Sequence, residues 1–283
     1  MLGDVHVVVE GESARPAVAS VHGIPGSVRD FRYLAPALVE AGLCSVRIDM
    51  PGFGKTPASA FASTRPRDRA AFVRQVMRAL GFTRFAVVGH SFGGGAAILC
   101  AAMFPDDVEA LVCVNSIGPR RHRGMGAPSE LYPVIAALFD APRVGALVHR
   151  AVVAGYAARG LKSETGVDAE VLKHHARIVG DVSFEELRLA CHTVACPALV
   201  VSSSNDPLVE AACSFALARA VTSSAPVVSH LHVAQGGHFL QKHEALAIAA
   251  WLRGRRAGDP GVRPSSRRTT GGTGPPPTST SSS

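Results

Sequence analysis

Gly89-His90-Ser91-Phe92-Gly93 separates an apolar run, Phe85-Ala86-Val87-Val88, from a stretch of small residues, Gly94-Gly95-Ala96-Ala97-Ile98-Leu99. That order predicts a strand, a sharp turn and a helix. A serine at such a turn takes a strained backbone conformation. Glycines two positions to either side remove the side chains that would collide where strand and helix come close. The hydroxyl is then pushed out over the sheet edge. In a chain with 28 glycines the five-residue pattern alone is weak, so its surroundings carry the inference.

Upstream, Val18-Ala19-Ser20-Val21 runs into His22-Gly23-Ile24-Pro25-Gly26, a strand ending in a glycine-rich loop. Such a loop presents a backbone N–H toward a developing oxyanion. Downstream, Ala198-Leu199-Val200-Val201 precedes Asn205-Asp206-Pro207, and an apolar run over residues 227–233 ends in Gly236-Gly237-His238. Nucleophile, acid and histidine thus occur in the order Ser91, Asp206, His238.

Taken together, His22-Gly23-Ile24-Pro25-Gly26, Asp49-Met50-Pro51-Gly52-Phe53-Gly54, the serine turn, and Asp206 followed by Gly237-His238 resemble the α/β-hydrolase family over roughly residues 5–253. The resemblance implies a mostly parallel central sheet flanked by helices, with a helical cap inserted over the catalytic end. It also implies acyl transfer at Ser91. Family members with an aspartate nucleophile, the epoxide hydrolases and haloalkane dehalogenases, are excluded by the serine. The family opens with an antiparallel hairpin, and only two strands fit before His22, so one edge strand of that pattern is missing.

Short β-rich runs at 5–10, 17–21, 43–49, 85–89, 108–115, 198–203 and 227–233 alternate with helical patterns at 31–41, 67–80, 93–103, 209–220 and 240–253. This alternation predicts a parallel α/β sheet covered on both faces. Gly42 and Gly81 are helix stop signals. Residues 118–190 break the alternation and are mostly helical in pattern, which predicts the cap. The core is expected at 1–117 and 191–253, and a tail at 254–283.

The composition is that of a protein with an ample core, 47% hydrophobic and 18% charged. No run reaches the roughly 18–20 apolar residues of a membrane helix, and no signal-peptide pattern opens the chain. A cytoplasmic protein without membrane partners is the expectation. The six cysteines, at 44, 100, 113, 191, 196 and 213, form no C-x-x-C pair and read as small buried hydrophobes. The net charge of +7 does not argue for a nucleic-acid partner, because four of those charges fall after residue 253. That segment, rich in Gly, Pro, Ser and Thr, is expected to be disordered. Gly52-Phe53-Gly54-Lys55-Thr56 echoes a phosphate-binding loop, but the first glycine of that motif would stand at Asp49, so no nucleotide site is expected.

The chemistry follows from the residue types. A serine hydroxyl needs a base to take its proton during attack, and His238 is placed for it after the last strand. His230 and His232 lie within that strand, and His243 lies on the next helix. Asp206 would orient the imidazole and stabilise the imidazolium. Asn115-Ser116, where some family members carry the acid, offers no carboxylate, and Asp181 is the fallback. The backbone N–H groups of Ile24 and Phe92 would meet the oxyanion. His22, Tyr132, Tyr156 and Phe239 are expected to bind substrate. Leu131, Tyr132, Tyr156 and Leu161 would form an apolar roof, and Arg120, Arg121, His122 and Arg123 a solvated face. No metal or cofactor is called for. The expected activity is hydrolysis of a small to medium ester or related acyl substrate. Carbon–carbon bond hydrolysis, cofactor-free perhydrolysis of the haloperoxidase kind, and a non-catalytic ligand-binding or signalling role remain alternatives. Substrate identity and oligomeric state are not legible.

Overall fold

The computed structural model describes residues 3–61, 63–158 and 167–255; the predicted tail from 256 onward and Leu161 lie outside them. In chain order the elements are β1 (Val7–Glu10), β2 (Ala17–Val21), α1 (Leu34–Glu40), β3 (Cys44–Ile48), α2 (Pro66–Ala79), β4 (Phe85–His90), α3 (Phe92–Met103) and β5 (Val108–Val114). Then come α4 (Tyr132–Asp140), α5 (Val144–Ala158), α6 (Ala169–Gly180), α7 (Phe184–Cys191), β6 (Ala198–Ser203), α8 (Ala211–Thr222), β7 (Val228–Val233), α9 (Leu240–His243) and α10 (Ala245–Arg253).

The seven strands form one sheet in the order β1-β3-β2-β4-β5-β6-β7. All neighbours are parallel except β1, which lies antiparallel to β3 at the edge. No opening hairpin forms, because β3 separates β1 from β2. Strand side chains alternate between two apolar layers, as the two-residue period requires. Val87, Leu111 and Val200 join the layer with Phe72 of α2, Ile98 of α3 and Leu217 of α8. Val88, Val112 and Val201 join the layer with Leu38 of α1 and Ile248 of α10. Both faces being covered explains why the strands read as nearly continuous apolar runs.

Two expected helices are divided. The first begins as a 3-10 turn, Val28–Phe31, before α1. The last is interrupted at Glu244, whose φ of −105° and ψ of 21° leave the helical region. The two pieces serve different surfaces: Leu240 of α9 packs over Gly236, while α10 lies against α1. Gly42 and Gly81, with φ of 76° and 87°, close α1 and α2 as expected.

Chain order reverses across the sheet between β2 and β4: β3 lies on one side, and β5 to β7 on the other. Such a switch point opens a crevice at the carboxyl ends of the strands. The loop after β2 and the turn after β4 meet there. Between β5 and β6 lie α4 to α7, and α7 with Leu187 buries into the main core layer on α3. All six cysteines are buried and unpaired. Burial pushes the Cys100, Cys191 and Cys196 thiols up to about 12. No helix among the described residues is long and apolar enough to cross a membrane.

Candidate active site

Ser91 occupies the turn between β4 and α3 with φ of 54° and ψ of −121°, a strained region for a residue with a Cβ. Its neighbours permit that turn. A Cβ on Gly89 would lie 2.5 Å from the Gly94 Cα, and one on Gly93 would strike the carbonyl oxygens of Val21 and His22. The backbone is tied from both sides: Ser91 N donates to Val114 O at 3.0 Å, and Ile117 N donates to Ser91 O at 3.0 Å. The side chain remains partly accessible and faces a cavity of about 1490 Å³.

His238 lines the same cavity. Its Nδ1 lies 2.8 Å from Asp206 Oδ2, with both side chains almost wholly buried. The other carboxylate oxygen of Asp206 accepts from Leu208 N at 2.7 Å and Val209 N at 3.1 Å. A carboxylate oxygen at this distance accepts a hydrogen bond from Nδ1–H, which favours the tautomer with its lone pair on Nε2. The carboxylate after β6 and the imidazole after β7 are thus brought together across 32 residues of sequence. Asp181, the fallback acid, instead accepts from Thr64 Oγ1 away from this cluster.

The Gly236-Gly237-His238 turn is clamped by groups from three other strand ends. Asn115, itself at φ of 39°, donates from Nδ2 to Gly237 O at 2.8 Å and to His238 O at 2.9 Å. Its Oδ1 accepts from Ser203 N at 3.2 Å. Ser203 Oγ donates to Gly237 O, and Asn205 Oδ1 accepts from Gly237 N, both at 2.8 Å. His90 Nε2 donates to His238 O at 3.0 Å, and the two rings meet at a tilt of 55° with centroids 4.7 Å apart. Burial, then the neighbouring His238, hold His90 well below the usual histidine range, so it stays neutral. Of these clamping side chains only His90, beside the nucleophile, is expected from the sequence to pack locally or line the turn. Asn115 was notable there only for not being a carboxylate.

Ile24 lines the cavity, and among the described residues no acceptor receives its N–H. Phe92 is the first residue of α3, where the N–H has no intrahelical acceptor and the helix dipole is positive. Both amides are therefore available where the loop after β2 meets the serine turn. The Phe92 side chain turns to the core layer rather than to the cavity.

The expected substrate-binding set divides in two. Tyr156 and Phe239 line the cavity. His22 does not: it is fully buried, its Nδ1 donates to Gly23 O at 2.6 Å, and its Nε2 accepts from Met50 N at 2.9 Å. Burial lowers its pKa to about 4, so it braces the glycine loop as a neutral ring. Tyr132 also lies off the cavity wall, because its hydroxyl turns back to donate to Met125 O. Leu131 is exposed and is not part of the wall. In the expected solvated arginine face, Arg123 reaches Asp206 O at 2.6 Å, and His122 is buried against Leu208 O.

The turn that echoed a phosphate loop is organised by Asp49 instead. Its carboxylate accepts from Val28 N at 2.7 Å, Lys55 N at 2.8 Å and His6 Nδ1 at 2.7 Å. Residues the sequence did not single out complete the cavity: Arg29, Arg32 and Tyr33 after β2, His149 and Arg150 of α5, and Lys242 of α9. No cluster of three or more His, Cys, Asp or Glu side chains among the described residues could hold a metal ion.

A family profile described as alpha/beta hydrolase fold matches residues 16–143. A RutD protein of Variovorax paradoxus (strain S110), provisionally named a carbamate hydrolase, is 30% identical over 227 residues, covering 76% of this chain and 83% of that protein. The chain belongs to the α/β-hydrolase family. It is also 34% identical over 109 residues to the sn-1-specific diacylglycerol lipase of Mus musculus, 38% of this chain but only 35% of that protein's length. Among solved structures, the enol-lactonase from Burkholderia xenovorans LB400 superimposes with a TM-score of 0.67 over 89% of this chain and 95% of its own, at 19% identity, a likeness of fold.

Proposed function

We propose that this protein is a serine hydrolase that cleaves an ester or related acyl substrate through an acyl-enzyme. The observation that carries this reading is the convergence on one cavity of Ser91, held in its strained turn, and the buried His238–Asp206 pair at 2.8 Å. The relatives named for lipase and carbamate hydrolysis support acyl transfer as the reaction class.

Ser91 Oγ attacks the acyl carbon as His238 Nε2 takes its proton, and the carbonyl π electrons move onto oxygen. The N–H groups of Ile24 and Phe92 meet that oxyanion; losing one such donor typically costs about 3 kcal/mol of barrier. The intermediate collapses, the bond to the leaving group breaks, and His238 returns the proton to it. Water then repeats the sequence, with His238 as base, and releases the acid and free Ser91. Asp206 holds the tautomer and stabilises the imidazolium throughout. The helices between β5 and β6 act as a cap, a role supported by Phe139, Val153 and Tyr156 in the cavity wall. The partner is a small molecule.

A fluorophosphonate probe with peptide mass spectrometry tests the reading. The expected adduct is on Ser91, lost in Ser91→Ala and strongly slowed in His238→Ala. Folded protein that shows ligand-induced thermal shifts but neither adduct nor turnover would instead be a binding protein on this fold.

A further inference from the structure

The cavity over Ser91 has a charge imbalance that acyl transfer itself does not require. Arg29, Arg32, Arg150 and Lys242 line it, against Asp30 and Asp168. Asp168 commits one carboxylate oxygen to the first turn of α6, accepting from Val171 N at 2.8 Å. Elsewhere, cations such as Arg74, Arg78 and Arg188 are paired with carboxylates. Among the described residues Arg29, Arg150 and Lys242 have no carboxylate within the 4.0 Å of an ion pair. Two of the cations are gathered on one ring: the Arg32 guanidinium lies 4.7 Å and the Lys242 ammonium 5.2 Å from the Tyr33 centroid. Each cation is held at the cavity wall by the π face of that ring, with Lys242 left without a carboxylate partner among the described residues.

Ile24, Phe139, Val153, Val167 and Leu208 give the same wall an apolar portion. At about 1490 Å³ the cavity exceeds the roughly 300–1,000 Å³ usual for small-molecule sites. It has room for an acyl chain and a distant charged end as well as the scissile carbonyl.

We propose that the cavity selects acyl substrates whose apolar body carries a terminal carboxylate or phosphate. That oxyanion meets Arg29, Arg150 and Lys242 while the scissile carbonyl sits at Ser91. The proposal rests on the serine hydrolase reading for its chemistry, but the binding of the anion can be measured apart from it.

The test pairs each anionic ester with a neutral counterpart. One arm uses monoethyl and diethyl esters of the dicarboxylic acids from succinate to sebacate. A second arm uses a short-chain 1-acylglycerol 3-phosphate against the matching 1-acylglycerol. The expected result is a preference of about tenfold or more in kcat/KM for the anionic member of at least one pair, residing in KM, and shrinking as salt rises to about 0.5 M. The arm that shows it tells a soluble acid from a lipid headgroup. Lys242→Glu with Arg150→Glu, both at exposed positions, should abolish or invert the preference, and the paired Gln variants should reduce it. Calorimetry on Ser91→Ala with the half-esters and the acylglycerol phosphate supplies the readout that needs no turnover.

Equal hydrolysis of charged and neutral members, or a preference that neither salt nor the Glu variants alter, would overturn the anion site and leave the hydrolase reading standing. Salt-sensitive, charge-selective binding to Ser91→Ala, with no turnover of any ester by the native protein, would support the site and overturn the acyl-transfer reading. Neither binding nor turnover would sink both.

Discussion

Asn115, at the end of β5, is wholly buried and spends its backbone and side chain on four hydrogen bonds that reach β6 and the His238 turn. Leu147 of α5 is 58% exposed, Val134 of α4 is 57% exposed, and α4 and α5 each bury a single residue, Ala136 and Gly145. The strand ends form a platform densely tied by hydrogen bonds between segments and backed by two packed apolar layers. Helices α4 and α5, over the cavity, are held by far less burial. Regions with few buried apolar contacts open at lower free energy than a core strand. The chemistry therefore sits on the stiff side, and the surface that meets the body of the substrate sits on the yielding side.

The comparison breaks most visibly at the catalytic groups. Asp206→Asn keeps the shape of the buried acid but favours the wrong imidazole tautomer, and should lower kcat about 10⁴-fold on an ester the native protein hydrolyses. Ser91→Ala should lose at least as much. A small loss at Asp206 would mean that another group orients His238.

Asn115→Ala tests whether the platform is rigid for a reason. A shift of the His238 turn of about 1 Å should cost about 10²-fold in kcat with little change in KM, and Asn115→Asp should not restore it, because the carboxylate cannot donate to the two carbonyls. Leu147→Ala should leave kcat within about twofold, and equal effects at the two positions would erase the distinction.

Stability should divide the same way. Leu111→Ala in the sheet is expected to cost about 2–5 kcal/mol in denaturant unfolding, and Val134→Ala no more than about 0.5 kcal/mol.

A further effect is in acid. Burial lowers both His22, on the platform, and His175, on α6, to about 4. The unfolded chain, with ordinary histidines near 6.5, binds more protons between those values. Stability therefore falls as pH drops from about 6.5 to about 4, and these groups cost nothing further below that. His175, hydrogen-bonded to the Tyr156 hydroxyl at 2.7 Å, should be released first, because α6 opens without breaking the sheet. Hydrogen exchange of α6 amides, corrected for intrinsic rate, should quicken several-fold toward pH 5, and His175→Gln should flatten that rise.

Much of this was legible before any coordinates. Strand positions followed from short β-branched runs, and β6, expected at 198–203, has those bounds. Ser91, Asp206 and His238 stood out because a strained serine turn, an acid after a strand and a glycine-flanked histidine are local signals. His22 was misread for the opposite reason. A histidine beside a glycine loop looks the same whether its ring faces the cavity or packs beneath it, and Met50 N, 28 residues away, decides the matter. Tyr132 was misread likewise, since Met125 O captures its hydroxyl.

The sequence by itself determined the α/β alternation, the two-faced strands and the identity and order of the reactive groups, because periodicity and turn chemistry act over a few residues. Only the tertiary structure decided which groups clamp the His238 turn, that the last helix divides at Glu244, and that Arg29, Arg150 and Lys242 share one cavity. Those outcomes depend on contacts between segments tens to more than a hundred residues apart, whose meeting is fixed by sheet order and core packing rather than by any local pattern.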